Sequence, residues 1–476
     1  MIAPARIAAY DILTAVSSGR ADLPTAIAFA RVSLQDERDR ALAADIAAGV
    51  QRWRAALDHL IVAFSKRAID RLDPEVVEIL RLSAYQLLHH TRVPASAVVD
   101  DAVNLARRAG KKSAAGFVNA VLRTLSRQRK DLPLPARPTG TSFPAGHLRP
   151  LRGDGGERET RAIGDGGERA AALAYLSITL SHPEWLAARW LERLGFEAAE
   201  AWMQFNNAPA PLTLRANRLR ATPDEVVERL ATDEVRLRPG RFGPDALIVE
   251  EGYPLRGRQE GLFVVQDEAS QLVALLAEPR PGWRVLDACA SPGGKTTALA
   301  AALNGTGQIV ACDVRDRRMA LLRKTVSAAG ADEVRLVQAD LLKPLPFTRP
   351  FDLVLVDAPC SGLGTLRRDP DIRWRRGESD LPALAAAELV MLQHAADAVA
   401  PGGRLVYATC SSEPEENEGI VDAFLATTPD FAPLDAREAA PRLSSDVIDA
   451  RGHLRTEPHV HGLEAFFGAV LVRRKV

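Results

Sequence analysis

The alternation of apolar runs with helical segments after residue 266 constrains the fold most strongly. Five apolar runs occur there, WRVLDA, QIVACD, VRLVQAD, FDLVLVDAP and GRLVYATC, and segments such as KTTALAAAL and DRRMALLRKTVSAAG lie between them. Continuous apolar runs are typical of strands buried on both faces, and intervening helices are typical of parallel sheets. We therefore predict an α/β Rossmann-like domain with a mostly parallel sheet over residues 266–476.

The residues that follow these runs predict where a ligand binds. In open parallel sheets, ligands bind beyond the carboxyl ends of the strands, where the strand order reverses. Side chains that could carry chemistry stand at such ends, namely Asp287, Asp313, Asp340, Asp357, Cys360 and Cys410. We expect a site along this edge of the sheet.

Residues 1–130 have a different pattern. Apolar side chains recur at spacings of three and four, as in Leu42, Ile46, Val50 and Trp53, which predicts helices throughout. This region holds 20 Lys and Arg against 13 Asp and Glu, a net charge of +7, although the whole chain is neutral. The pattern predicts an all-α bundle, and the charge favours a polyanionic partner over a merely solvated helical surface.

Two further segments complete a multidomain organisation. Residues 131–170 contain five prolines and two copies of GDGGER, a composition that predicts a linker without a core. Residues 171–265 contain PLTLRANRL, DEVVERLA and ALIVEEG, which indicate a strand, a helix and a strand. We predict a small α+β unit there.

Composition excludes several classes of protein. No apolar run approaches the roughly 20 residues of a membrane helix, and the N-terminus lacks the pattern of a signal peptide. We expect a cytoplasmic protein with no membrane partner. The four cysteines form no CxxC pair, so we expect reduced thiols and no metal.

The stretch DACASPGGKTT follows the first strand and opens a helix. Its glycines allow close approach of a ligand, and the free amides of the helix N-terminus favour an anionic group. GGKTT is not a P-loop, because Cys289 stands where that motif requires glycine. We predict a cofactor-binding turn made by Cys289, Ala290, Ser291, Pro292, Gly293, Gly294 and Lys295.

The acidic strand ends indicate which cofactor binds. Asp313 ends the second strand, where a carboxylate can hold a ribose diol, and Asp340 follows the third strand, near the expected adenine amine. Carboxylates around an adenosine fit S-adenosylmethionine without a phosphate-binding lysine. For any single aspartate, a helix N-cap is the alternative.

The motifs LDACASPGGKTT, VLVDAPCSGLGTLRRDPDIRW and YATCSSEPEENE resemble those of the Sun/RsmB-type RNA (cytosine-5) methyltransferases. SAVVDDAVNLARRAGKKSAAGFVNAVLR resembles the NusB-like helical RNA-binding domain of the bacterial members. The resemblance covers nearly the whole chain except the linker. It implies S-adenosylmethionine-dependent formation of 5-methylcytosine in RNA, with small-subunit (16S) rRNA favoured. A tRNA substrate, or an RNA-binding assembly factor with a non-catalytic methyltransferase domain, is the alternative.

The chemistry needs a thiolate that adds to cytosine C6, a base that removes the C5 proton and an acid near N3. Chemistry alone does not rank the two cysteines. The resemblance implies that Cys410 attacks, that Cys360 acts as the base during release, and that Asp357 contacts N3 or the exocyclic amine. We also count Asp357 among the cofactor-binding residues, while Lys295 could neutralise either a cofactor carboxylate or an RNA phosphate.

Basic residues give the candidate RNA contacts. TLRRDPDIRWRR places arginines beside a tryptophan, and guanidinium groups bind phosphates and stack on bases. A solvated charged loop is the alternative. We predict RNA contacts for Arg367, Arg368, Arg373, Trp374, Lys111 and Lys112. We expect the RNA to be rRNA and the protein to be a monomer.

Overall fold

The chain divides into two compact units. The structure, a computed structural model, describes residues 2–139, 165–255 and 261–475. Unit 1 comprises Met1–Pro209 and Leu366–Glu378, and unit 2 comprises Ala210–Thr365 and Ser379–Val476. The chain therefore leaves unit 2 once, for the segment Leu366–Glu378, and returns to it.

Unit 1 is helical throughout its described residues. Its helices are α1 (Pro4–Ser17), α2 (Leu23–Ser33), α3 (Glu37–Ser65), α4 (Pro74–His89), α5 (Ala95–Arg108), α6 (Ala115–Gln128), α7 (Asp165–Ala174), α8 (Glu184–Leu194), α9 (Phe196–Asn207) and the short α14 (Ile372–Arg375). Helices α1 to α6 share one apolar core that includes the fully buried Leu13, Ile46 and Leu80. Asp73 caps α4 by accepting from the Glu75 amide, and Pro74 occupies its first turn. The predicted all-α bundle is confirmed.

The predicted linker falls mostly outside the described residues. The first GDGGER copy, residues 153–158, lies entirely outside them. Helix α7 begins at Asp165, so the second copy, residues 164–169, runs into a helix. Helices α8 and α9, which fall in the region predicted as a small α+β unit, belong to the compact unit 1.

Unit 2 begins with a four-stranded antiparallel sheet and one helix. Its elements are β1 (Thr213–Ala216), α10 (Pro223–Ala231), β2 (Arg236–Pro239), β3 (Ala246–Glu251) and β4 (Phe263–Val265), in the sheet order β2-β3-β1-β4. Leu214, Val226 and Leu230 are fully buried in its core. Thr222 and Glu225 form a reciprocal capping box at the start of α10. The strand, helix and strand predicted from sequence are β1, α10 and β3.

The larger part of unit 2 is a sheet of eight strands covered by helices. Its elements are α11 (Glu268–Ala277), β5 (Arg284–Asp287), α12 (Gly294–Leu303), β6 (Gln308–Asp313), α13 (Asp316–Ala329), β7 (Arg335–Gln338), β8 (Phe351–Asp357), α15 (Leu381–Asp397), β9 (Val399–Thr409), α16 (Glu418–Thr427), β10 (Phe431–Leu434), α17 (Ala436–Ala439), β11 (Leu454–Thr456), α18 (Pro458–His461) and β12 (Phe466–Arg473). Strands β5 to β9 are parallel, whereas β10, β11 and β12 pair antiparallel.

The strand order of this sheet reverses at β5. The order is β10-β12-β9-β8-β5-β6-β7. Strands β6 and β7 therefore lie on one side of β5, and the next strand in the chain, β8, pairs with the other side of β5. The reversal at β5 is the place where open α/β sheets bind ligands. The predicted Rossmann-like domain is confirmed.

Among the described residues, no helix combines the length and apolar character that crossing a bilayer requires. Within the same ranges, no group of three or more His, Cys, Asp or Glu side chains is arranged to hold a metal ion.

Candidate active site

Two neighbouring strands bring the predicted reactive thiols together. Strand β8 ends at Asp357 and β9 ends at Thr409, and they pair in parallel with Asp357 opposite Ala408. Cys360 and Cys410 follow these ends, and their sulfur atoms lie 3.4 Å apart. Fifty residues separate the two cysteines in sequence, so the sheet alone creates this pair.

Gly364 joins the loop of Cys360 to the end of β9. Its amide donates to the Cys410 carbonyl at 2.9 Å, and its own carbonyl accepts from the Ala465 amide at 3.0 Å. A Cβ at this position would lie 2.1 Å from the Ala465 carbonyl oxygen. Only glycine permits this close approach of two backbones, and the approach fixes the two thiol-bearing loops against each other.

Lys295 forms an ion pair with Asp357 beside the thiols. Its ammonium donates to Asp357 Oδ2 at 2.7 Å and to Ser270 Oγ at 3.1 Å. The lysine side chain is only 11% exposed, whereas Asp357 retains 27% exposure. Lys295 is therefore directed at Asp357, a partner that neither sequence-based alternative named.

The surroundings shift the pKa values of Cys360 and Lys295. The hydrogen bond with Cys410 raises the pKa of Cys360 well above its usual range, and burial adds to this rise. Burial acts to lower the pKa of Lys295, but the charges of Asp357 and Cys410 raise it overall. Cys360 thus keeps its proton, and Lys295 keeps its charge.

The glycine turn after β5 has a tight backbone. The Ala290 amide donates to the Cys312 carbonyl at 2.8 Å, and the Gly293 amide donates back to the Ala290 carbonyl at 2.7 Å. The Ser291–Pro292 peptide is cis, and Gly293 has a φ of +105° at the N-cap of α12. This left-handed conformation explains why glycine is needed there.

Arg215 on β1 supports the same turn, and sequence reasoning missed it. The buried guanidinium donates to the Gly294 carbonyl at 2.8 Å and to Thr297 Oγ1 at 2.7 Å. Burial lowers its pKa to about 10. Because a lone arginine in a strand gives no signal of its partner, the contact emerges only from the fold.

The acidic strand ends have specific local partners. Asp313 Oδ2 accepts from the Ser291 amide at 3.1 Å and from Arg318 Nε at 3.0 Å. Asp340 Oδ1 accepts from the Leu342 amide at 3.0 Å. Asp313 therefore contacts the predicted cofactor turn directly, whereas Asp340 closes a turn of its own.

Asp287 is the most unusual carboxyl group at this edge. It is fully buried and accepts from Thr296 Oγ1 at 2.7 Å, and its Oδ1 has no hydrogen-bond partner in the described ranges. Burial, together with the negative charges of Asp357 and Asp313, raises its pKa to about 7. Its position at a strand end was visible in the sequence, but its burial was not.

The other two cysteines pack with an apolar core, and the charges that act on them come mainly from carboxylates. Cys312 is fully buried within β6, and burial raises its pKa to about 12. Burial likewise raises the pKa of Cys289 well above its usual range. Neither has the ion-paired lysine and second thiol that surround Cys410.

The arginine-rich segment Leu366–Glu378 binds protein groups of unit 1, and RNA contact by its members stays a prediction except at Arg373. Arg373 is fully buried in unit 1, where it donates to the Ser181 carbonyl at 2.9 Å and to Asn207 Oδ1 at 3.0 Å. Burial lowers its pKa to about 9. An RNA contact by Arg373 is at odds with this burial, because its guanidinium is occupied by protein oxygens.

The neighbouring predicted RNA contacts are also engaged in unit 1. Trp374 Nε1 donates to the Gln51 carbonyl at 2.6 Å, and Arg367 donates to the Pro209 carbonyl at 2.6 Å. Arg368 is half-buried. These bonds give the segment a structural role that the charge pattern alone could not reveal.

The two predicted lysine contacts differ from each other. Lys111 pairs with Asp73 at 2.5 Å and with Glu75 at 3.4 Å. Lys112, at the start of the next turn, is exposed. RNA binding by either lysine stays a prediction.

The mostly parallel sheet, the glycine turn after β5 and the acidic strand ends are those of a Rossmann-like, nucleotide-binding domain, and the family models identify its class as a methyltransferase. Residues 274–472 match the family model described as 16S rRNA methyltransferase RsmB/F. Residues 3–127 match the NusB family, and residues 182–256 match the RsmF/B-like ferredoxin-like domain.

Curated relatives and a solved structure match across most of the chain. It is 32% identical to the probable ribosomal RNA small subunit methyltransferase B of Bacillus subtilis, covering 90% of each chain. It is 35% identical to ribosomal RNA small subunit methyltransferase B of Pseudomonas putida, covering 92% of each. The crystal structure of PH0851 superposes with a TM-score of 0.76 at 25% identity, covering 99% of both chains. The chain belongs to the ribosomal RNA small subunit methyltransferase B family, as the sequence motifs predicted.

Proposed function

We propose that this methyltransferase forms 5-methylcytosine in small-subunit rRNA, with S-adenosylmethionine as methyl donor and a covalent adduct between Cys410 and cytosine C6. The observation that carries the proposal is the pair of thiols 3.4 Å apart beside the Lys295–Asp357 ion pair. Such a pair supplies both a nucleophile and a proton-transfer group at one edge of the sheet.

The substrate is inferred from the relatives and from the N-terminal bundle. The names of the Bacillus and Pseudomonas relatives specify the small ribosomal subunit. The NusB-like region carries the excess of basic residues, which suits a polyanion. Both features support rRNA over a small-molecule substrate.

The residues at the strand ends fit S-adenosylmethionine. Lys295 is committed to Asp357, so the glycine turn carries no lysine directed at a phosphate. The other strand-end side chains near the turn are carboxylates, among them Asp313, which accepts from the Ser291 amide. Carboxylates suit hydroxyl, amino and cationic groups of a ligand. The turn from Cys289 to Lys295 and Asp313 would hold the cofactor, whose sulfonium supplies the methyl group that C5 accepts.

Cys410 begins the reaction as a thiolate. The Lys295 ammonium interacts electrostatically with this sulfur, and the Cys360 thiol lies 3.4 Å from it. The sulfur bonds to C6, electrons move toward N3, and N3 takes up the proton of Cys360. C5 becomes enamine-like and can accept a methyl group. Asp357, with Oδ1 free of hydrogen bonds in the described ranges, would contact the base near N3 or the exocyclic amine.

Cys360 then acts as the base for release. Adduct formation removes the hydrogen bond and the charge of Cys410, two causes that raise the pKa of Cys360. The resulting Cys360 thiolate takes the proton from C5, and Cys410 leaves as a thiolate. N3 releases its proton to solvent, so one proton is freed for each methyl group transferred.

Methylation mapping tests the function. Bisulfite sequencing of rRNA and tRNA from strains with and without the gene should reveal one small-subunit rRNA cytosine whose methylation depends on it. Loss of methylation in tRNA alone would move the substrate to tRNA. If no cytosine lost methylation, the chain would be an RNA-binding assembly factor and the proposal would be wrong.

A further inference from the structure

The buried carboxyl group of Glu416 contacts the loops that carry Cys360 and Cys410. Glu416 is fully buried in the turn that precedes α16. Its Oε1 accepts from the Ser361 amide at 2.7 Å, and its Oε2 accepts from the Ser361 hydroxyl at 2.6 Å. The Ser411 hydroxyl donates to the same Oε2. One carboxyl group therefore binds the residue after each reactive cysteine.

The two serines also contact each other. Their hydroxyl oxygens lie 3.2 Å apart, and both serines are buried. Because Ser361 follows Cys360 and Ser411 follows Cys410, a shift of either serine would move its cysteine. Unsatisfied hydroxyl groups are costly in a buried site, so the shared acceptor strongly favours this arrangement.

A second buried carboxyl group holds Glu416 in place. The Tyr407 hydroxyl donates to the Glu416 carbonyl at 2.7 Å and lies 3.0 Å from Glu388 Oε2. Burial and the charge of Glu416 together raise the pKa of Glu388 to about 10. Glu388 is therefore neutral near pH 7 and adds no second negative charge beside Glu416.

We propose that Glu416 is a positioning residue that fixes the separation of the Cys360 and Cys410 thiols through Ser361 and Ser411. Its effect on methylation rests on the proposed function, whereas its effect on thiol separation does not. Glu416 binds the two serines rather than the sulfur atoms, and its negative charge also raises the pKa of Cys360. The double serine variant keeps that charge, so it isolates the geometric contribution. A misplacement of reacting groups by about 1 Å can lower a rate about 100-fold.

The first test measures thiol separation without RNA or cofactor. Diamide takes up two hydrogens and joins two nearby thiols as a disulfide, and mass spectrometry identifies the linked peptides. We expect Cys360–Cys410 linkage to slow at least about 10-fold in Glu416→Gln and in the double variant Ser361→Ala/Ser411→Ala. Ser412→Ala is the matched control, because this buried hydroxyl donates to Glu413 instead.

The second test measures turnover of folded variants. Ser361→Ala/Ser411→Ala keeps the packing volume nearly unchanged, so it remains informative if Glu416→Gln fails to fold. We expect kcat to fall about 10- to 100-fold while KM for RNA and for S-adenosylmethionine changes less than about threefold. A purely structural role would instead lower the folded fraction and leave kcat per folded molecule unchanged.

The outcomes separate the two proposals. Wild-type linkage rates in both variants would overturn the positioning role, whatever the substrate is. If wild-type protein methylated no cytosine yet the linkage rates fell as expected, the proposed function would fail and the positioning of the thiols would stand.

Discussion

The four cysteines of unit 2 form two groups with opposite surroundings. Cys289 and Cys312 lie in largely apolar environments, where burial is the main cause that raises their pKa values. Cys360 and Cys410 lie 3.4 Å apart at neighbouring strand ends, beside an ammonium–carboxylate pair. A thiol that is only buried stays protonated and unreactive. A neighbouring thiol can take up or donate a proton during the reaction, and a neighbouring cation favours the negative charge of a thiolate.

The largest expected effect is a difference in methylation activity between a variant of the Cys360–Cys410 pair and a variant of the other two cysteines. Cys410→Ala removes the nucleophile, so we expect methylation to fall by about 10³-fold or more. Cys312→Ala removes only a buried thiol from the apolar core and should leave kcat within about twofold of wild type. Transfer of labelled methyl groups to RNA measures both. Equal loss of activity in the two variants would remove the distinction between the groups.

Removal of the Lys295 ammonium should lower the reactivity of Cys360 and Cys410 toward that expected of Cys289 and Cys312. Lys295→Met deletes the ammonium that favours charge on Cys410 and leaves Asp357 without its partner. We expect kcat to fall about 10- to 100-fold, as is typical when a charge-stabilising group is removed. The exposed Lys324→Met is the control. A loss confined to KM for the cofactor would assign Lys295 to cofactor binding instead.

The last expected effect is on stability rather than activity, and it concerns the buried carboxyl group of Asp287. The fold raises the pKa of Asp287 from 3.8 to about 7. Between these values the folded state binds more protons than the unfolded state, so this group lowers stability as pH rises from about 4 to 7. Asp287→Asn should therefore gain stability over wild type across that range, by at most about 4 kcal/mol above pH 7.

Calorimetry at pH 5 and pH 8 measures this gain. The difference in Tm between Asp287→Asn and wild type should be larger at pH 8. The exposed Asp316→Asn should show no such difference. A gain for Asp287→Asn that is the same at both pH values would show that its ionisation is not the cause.

The sequence predicted the fold better than it predicted individual contacts. The apolar runs located β5 to β9. Strands β5, β6, β8 and β9 are largely buried, which gives them a continuous apolar pattern, whereas the edge strand β7 is partly exposed. The arginine-rich segment after Cys360 was harder to interpret. A guanidinium group can bind RNA phosphates or buried carbonyl oxygens, and Arg373 does the latter.

The candidate site shows the same limit. The motifs identified Cys360, Cys410 and Asp357, but the 3.4 Å separation of the sulfurs depends on strand pairing across fifty residues. The motif CSSEPEENE contains four glutamates, and only folding selects Glu416 to contact both serines. Arg215 and Asp287 depend in the same way on partners distant in sequence.

Covalent trapping tests the division of roles between Cys410 and Cys360 most directly. Each purified variant is incubated with substrate RNA and S-adenosylmethionine, and denaturing gels with mass spectrometry identify any protein–RNA adduct and its residue. We expect Cys360→Ala to accumulate an adduct at Cys410, because solvent can supply the N3 proton during addition while release lacks its base. Cys410→Ala and the double variant should form none. An adduct at Cys360 in the Cys410→Ala variant, with none in Cys360→Ala, would show that the two thiols have the opposite roles.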